Sequence, residues 1–122
     1  EQVGEGLVDL IEAGHIKSPE MTLLLRKYLL PMVAEGIDYL VLGCTHYPYL
    51  LPQIQELIPP HIKVIDSGYA VAKQTRNILS QHHLLNDDTT AEAQHLWLAN
   101  GKVEVLQQFA PKNVKHLKIS TF

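Results

Sequence analysis

The first third of the chain places its apolar residues at helical spacing. Leu7, Leu10 and Ile11 fall on one stripe of a helix. Gly14 follows, and a glycine at this position typically ends a helix, here at about Ala13. The pattern therefore predicts a short helix near the start of the chain.

A second helix is predicted from position 18 onward. Ser18 is a good N-cap and Pro19 suits the first helical position, since its missing N–H has no partner there in any case. Apolar residues continue at helical spacing from Leu23 to Leu29. We expect Pro31 to kink or shift this helix and Gly36 to end it.

The spacing changes at Tyr39-Leu40-Val41-Leu42, a continuous apolar run that is typical of a parallel strand buried on both faces. The remaining pattern alternates helices with strands. It predicts a helix over 50–58, a strand over 62–65, a helix capped by Asp66-Ser67-Gly68 that runs to about 82, a polar loop over 86–90, a strand over 95–99, a helix over 103–110 and a strand over 114–119. This alternation indicates an α/β fold with parallel-type sheets flanked by helices.

Composition narrows the class of protein further. The 122 residues are 46% hydrophobic and 19% charged, enough to form a packed core. The formal net charge of −3 gives no electrostatic reason to expect nucleic acid or an anionic membrane as a partner. No apolar run approaches the roughly 18 residues that span a bilayer, and no signal peptide is evident. We expect a cytoplasmic protein.

The single cysteine, Cys44, directly follows the first predicted strand. One thiol excludes an internal disulfide and a zinc site built from several cysteines. At a strand-to-helix turn, the N–H groups of the coming helix favour a thiolate and a substrate carboxylate. With His46 close by to exchange protons, Cys44 is a candidate base or nucleophile. The alternative is that Cys44 is a small buried hydrophobic residue.

The seven histidines do not predict a metal site. Cys44, His46 and the adjacent pair His82-His83 have no spacing that matches a known ligand set, so we expect no zinc. Gly43 alone is no dinucleotide-binding fingerprint, and no phosphate-binding loop is present in the sequence.

The segment Leu42-Gly43-Cys44-Thr45-His46-Tyr47-Pro48 resembles the second cysteine motif of the bacterial glutamate racemases. The resemblance extends to 7–14, 28–32 and 64–68 and covers roughly 5–80 well. It implies a two-domain aspartate/glutamate racemase-like fold and an isomerase that needs no cofactor. Such enzymes interconvert L- and D-glutamate with two cysteines on opposite faces of the α-carbon, and they supply D-glutamate for peptidoglycan.

The resemblance also implies roles for individual residues. Cys44 matches the second catalytic cysteine. Thr45 and His46 match substrate-binding positions, and His46 also matches a residue that assists proton transfer. Glu12 matches an acidic residue that tunes catalysis, although an exposed helical carboxylate is the alternative. The family often has Cys-Pro before this helix where this chain has Gly4-Glu5.

A second family motif, Asp-Ser-Gly, belongs to the active site near the start of these enzymes. Its position here, downstream of the cysteine motif, matches a different copy. We therefore interpret Asp66 and Ser67 as helix-capping residues.

The two-cysteine mechanism implies that part of the enzyme is absent from this chain. The family's enzymes are about twice as long, and their first cysteine lies in a first domain that has no counterpart here. Residues 1–66 are expected to be the later part of the second domain, and residues 67–122 to cross back and complete the first. A chain that begins with Glu1 fits a C-terminal fragment without racemase activity. An apolar surface on the crossing segment, open to a homodimer or to the N-terminal half, is expected with it.

Two alternatives remain open. One is a racemase of the same superfamily that acts on aspartate or another amino acid, although the Thr-His-Tyr-Pro residues after Cys44 favour glutamate. The other is a non-catalytic binding or oligomerisation module that has kept the fold.

Overall fold

The computed structural model describes residues 1–86, 88, 90 and 92–122. Its elements are α1 (Leu7–Glu12), α2 (Pro19–Ala34), β1 (Tyr39–Val41), a 3-10 turn (Tyr47–Leu50), α3 (Leu51–Leu57), β2 (Lys63–Ile65), α4 (Gly68–Gln81), β3 (His95–Ala99), α5 (Val103–Gln108) and β4 (Leu117–Thr121). The chain divides into two compact units, Glu1–Ala70 and Val71–Phe122. The predicted α/β class is confirmed.

The helix ends follow the sequence signals. The Ser18 hydroxyl accepts a hydrogen bond from the Met21 N–H at 3.1 Å and so caps α2, as predicted. Gly14 and Gly36 lie just beyond α1 and α2 with φ of 77° each, a left-handed conformation that glycine adopts without steric cost. α2 continues through Pro31 to Ala34 and ends before Gly36, as predicted, and a kink or shift at Pro31 stays a prediction.

In the first unit, β1 and β2 form a two-stranded parallel sheet in which Leu40 is opposite Val64. The prediction that β1 is buried on both faces is wrong. Leu40 and Leu42 are buried, whereas Tyr39 is 52% and Val41 68% exposed. Side chains alternate between the faces of a strand, so one face of β1 joins the core and the other lies open.

The core lies in the first unit. Among the described residues, twelve hydrophobic side chains are buried, and all of them belong to this unit: Leu7, Ile11, Met21, Leu25, Tyr28, Leu29, Leu40, Leu42, Leu50, Ile54, Ile58 and Ile62. They come from α1, α2, β1, α3 and the turns beside them, and α2 packs against both α1 and α3. This packing holds the segment that follows β1.

In the second unit, β3 and β4 are parallel, with Trp97 opposite Ile119, and α5 packs against β4. Leu96 and Leu98 share one exposed face of β3. The last elements are shifted from their predicted bounds: α5 ends at Gln108, and β4 occupies Leu117–Thr121 rather than 114–119. The turn before β4 includes His116 with a φ of 52°, which is incompatible with a strand.

α4 lies across the boundary between the units and has no buried residue. The Asp66 carboxylate accepts a hydrogen bond from the Gly68 N–H at 2.7 Å, which confirms its predicted capping role. The capping role of Ser67 stays a prediction. In the predicted polar loop, Asp87 and Thr89 lie outside the described residues. Across the described chain, no helix combines the length and apolarity needed to cross a membrane.

Candidate active site

Cys44 lies just beyond the carboxyl end of β1. The Leu42 N–H donates to the Ile65 carbonyl at 2.8 Å, which continues the parallel pairing one residue past the strand. The chain then leaves the sheet, and the Cys44 side chain is half-buried. In open parallel sheets this edge is where ligands bind.

The turn after Cys44 differs from the one predicted. A four-residue 3-10 turn follows His46, and the α-helix begins only at Leu51. The Tyr47 and Tyr49 N–H groups donate to the carbonyls of Cys44 and His46. Those two amides are therefore used inside the turn. Side chains supply further polar partners for Cys44.

Those side chains are His46 and Glu12. The Cys44 Sγ lies 3.8 Å from His46 Nδ1, and His46 Nε2 lies 2.9 Å from the Glu12 carboxylate. Glu12 is the last residue of α1, 34 positions before His46. A histidine that donates its Nε2–H to a carboxylate presents Nδ1 as an acceptor. The three groups thus form a line along which a thiol proton can pass to the imidazole.

The exposure of the His46 and Glu12 side chains limits what their contact contributes to stability. The His46 and Glu12 side chains are 33% and 58% exposed, so their contact is screened by solvent and contributes little to stability. The alternative reading of Glu12 as an exposed carboxylate is right about its exposure, but the residue is paired. Thr45 is exposed beside Cys44, on the solvent side of the loop.

Tyr47 also reaches this site, and sequence reasoning missed it. Its hydroxyl donates to the Gly4 carbonyl at 3.4 Å, a long hydrogen bond. Burial raises the pKa of the Tyr47 phenol first, and the nearby Cys44 raises it second because two anions would repel. The hydroxyl accordingly keeps its proton at neutral pH.

A cavity of about 510 Å³ adjoins the thiol inside the first unit. Cys44, Gly43 and Tyr47 line one part of it, and most of the remaining lining residues are apolar, among them residues of α2 and β1. The exposed Tyr39 and Val41 line it together with the buried Leu40 and Leu42.

His82, His83 and His116 belong to the second unit. His116 pairs with Glu92 at 2.7 Å on an exposed surface, and His82 and His83 are exposed just after α4. Within the described residues, no three His, Cys, Asp or Glu side chains come together as a group that could hold a metal ion.

Known proteins resemble this chain in both sequence and fold. The glutamate racemase of Ectopseudomonas mendocina is 43% identical over 106 residues, which are 87% of this chain and 40% of that protein. A glutamate racemase isoform from Bacillus anthracis superposes with a TM-score of 0.78 at 24% identity, over 99% of this chain and 45% of that one. The Francisella tularensis glutamate racemase, solved in complex with D-glutamate, gives a TM-score of 0.72 at 27% identity and covers 93% of this chain and 43% of that one. No family model matches the chain.

These similarities identify the fold as that of the α/β racemases. At 40–48% identity to several curated relatives, the chain belongs to the glutamate racemase family. It spans between 29% and 44% of the length of the curated relatives that it matches.

Proposed function

We propose that this chain supplies one of the two proton-transfer groups of a glutamate racemase that uses no cofactor. The observation that carries the proposal is the line of Cys44, His46 and Glu12 beside the carboxyl end of β1. General acid–base work at a carbon acid needs a group within reach of the proton and a second group that sets its protonation state. Cys44 is the first of these groups and His46 the second.

In the proposed reaction, the Cys44 thiolate removes the α-proton of one glutamate enantiomer. The Cα–H bond breaks, its electron pair stays on the α-carbon next to the carboxylate, and an S–H bond forms. A second thiol, from the part of the enzyme outside this chain, donates a proton to the opposite face. The Cys44 proton then passes to His46 Nδ1, and the Glu12 carboxylate stabilises the imidazolium that results.

Thr45 is proposed to bind the substrate together with His46. Its exposed position next to Cys44 supports this role, since a polar hydroxyl there is open to a ligand. Glutamate is the proposed substrate, supported by relatives that are named glutamate racemases and by the Francisella tularensis relative in complex with D-glutamate. The product would supply peptidoglycan synthesis in the cytoplasm.

The proposed arrangement of domains assigns residues 1–66 to the second domain and 67–122 to the completion of the first. The division into compact units at Ala70 and Val71, close to the proposed boundary, supports it. The open face of β1 and the unburied α4 offer apolar surface for the rest of such an enzyme. The proposed partner is that N-terminal half, and a homodimer is the competing partner.

A chimera tests the proposal. The 106-residue matching segment of the Ectopseudomonas mendocina racemase is replaced by this chain, and D-glutamate formation from L-glutamate is measured. We expect racemisation of glutamate but not of aspartate, and none from the 122 residues alone. Cys44→Ser should abolish turnover, whereas the exposed Ser80→Ala should not. A folded chimera that is inactive, or active without the thiol, would contradict the proposal.

Alkylation separates this function from a binding module that only keeps the fold. Cys44 is the sole thiol, so its reaction with iodoacetamide is read without ambiguity. In the racemase interpretation it reacts faster than a free thiol at neutral pH, because His46 accepts its proton. A structural cysteine would resist the reagent until the chain unfolds.

A further inference from the structure

Two neighbouring residues of the cysteine loop contact opposite ends of α1. His46 reaches Glu12, the last residue of the helix. Tyr47 reaches Gly4, three positions before the helix begins, through its hydroxyl. The loop that carries Cys44 therefore holds α1 at both ends.

The contact at Gly4 is close. A Cβ atom at this position would lie 2.6 Å from the Tyr47 hydroxyl oxygen and 2.7 Å from a Leu7 methyl carbon, nearer than such atoms ever approach. The Gly4 carbonyl also accepts the Leu7 N–H at 3.3 Å, so the atom that Tyr47 contacts belongs to the first turn of the helix. Next to it, the buried Tyr28 donates to the Glu5 carbonyl at 2.9 Å.

α1 depends on such external contacts. It has six residues, and its N-cap, Gly6, provides no side-chain hydrogen bond. A helix this short does not hold itself together in water, so its position is set by packing and by bonds from other elements. The position of Glu12 relative to His46 therefore depends on where the helix begins.

We propose that Tyr47 is a positioning residue: by fixing the start of α1 through Gly4, it sets the reach of Glu12 to His46 and so the reactivity of Cys44. This inference rests on the proposed function of the Cys44–His46–Glu12 line. The raised pKa of the Tyr47 phenol agrees with it, because the hydroxyl stays a donor over the range in which the thiol works.

The test is a double-mutant cycle on the 122-residue chain, read by the rate at which iodoacetamide alkylates Cys44 across neutral pH. Tyr47→Phe keeps the ring and removes the hydroxyl. Because the bond is long, we expect a loss of only about two- to threefold in rate. Glu12→Gln should slow the reaction by at least as much. In the Glu12→Gln background, Tyr47→Phe should have no further effect.

Three further measurements complete the test. Tyr69→Phe removes a hydroxyl from a side chain that is 82% exposed and should leave the rate unchanged. Gly4→Ala disturbs the same contact from the other side and should reproduce the loss, again only when Glu12 is present. It also provides the answer if Tyr47→Phe does not fold.

The outcomes are distinguishable. If Glu12→Gln slows alkylation but Tyr47→Phe slows it equally in both backgrounds, or in neither, Tyr47 only packs and this inference fails while the proposed function stands. If Glu12→Gln has no effect, the Glu12 link fails, and this inference fails with it. The glutamate chimera tests the proposed function separately.

Discussion

The contact between Glu12 and His46 orients the imidazole and adds little to the stability of the fold. Both side chains are partly exposed, and even a charged pair at such a surface contributes only about 0–1 kcal/mol to folding. What the carboxylate does is keep one imidazole nitrogen occupied as a donor, so that the other faces the thiol. The role of Glu12 is therefore expected in kinetics and not in stability measurements.

The Tyr47 phenol should make the free energy of unfolding depend on pH in the alkaline range. The pKa of its phenol is raised above the ordinary value of 10.0 in the folded chain, mainly by burial. The unfolded chain then loses this proton more readily, so the free energy of unfolding falls as pH rises through about 10 and beyond. Denaturant titrations at about pH 8 and about pH 10.5 measure the fall, which should be smaller in Tyr47→Phe.

Tyr69→Phe is the matched control for this measurement, since Tyr69 is exposed. Equal losses in the parent chain and in Tyr47→Phe would mean that burial does not perturb the Tyr47 phenol.

At the scale of single residues, the sequence could reveal Cys44 and His46, because they are two positions apart in one loop. Glu12 could be proposed only from the family resemblance, because a separation of 34 positions from His46 gives no spacing argument. Tyr47 could not be found, because its partner is a backbone carbonyl at Gly4. A carbonyl carries no signature in the sequence.

Among the elements, the end of α2 allows a matched test of backbone conformation. An added Cβ would meet nothing within 4 Å at either Gly36 or Gly43, but only Gly36 has a positive φ, of 77°. Gly36→Ala should lower the free energy of unfolding by about 1–2 kcal/mol, since an L-residue is strained there. Gly43→Ala should change it by less than about 0.5 kcal/mol. Urea titration compares the two, and equal effects would contradict the conformational explanation.

The helices and strands were predictable where punctuation residues mark them. Ser18, Pro19 and Gly36 define α2 because their backbone requirements are local. The burial of β1 was not predictable, because whether Tyr39 and Val41 are covered depends on what packs against the sheet. An apolar run shows that a strand can be buried on both faces. It does not show whether other elements of the chain cover those faces.

At the scale of the whole molecule, the two units differ in how much they bury. All the buried hydrophobic side chains found among the described residues lie between Leu7 and Ile62, and α4 contributes none. Hydrogen exchange follows buried packing, so amides of α2 should exchange roughly tenfold or more slowly than those of α4, after correction for intrinsic rates. Mass spectrometry on peptides from 19–34 and 68–81 provides the comparison, and equal protection would contradict it.

α4 exposes apolar side chains along its length. Tyr69, Val71 and Ile78 of α4 are 82%, 60% and 43% exposed. Exposed apolar side chains in such numbers are typical of surfaces that pack against other protein.

The single tryptophan and the single cysteine allow distances within the chain to be followed by fluorescence energy transfer. Its single tryptophan, Trp97, lies in β3 of the second unit, and its single cysteine, Cys44, lies after β1 of the first. A fluorescent acceptor attached to the thiol therefore receives excitation energy from one defined donor. With no residue added or removed, the efficiency of that transfer follows the separation of the two units while the chain folds or associates with other protein.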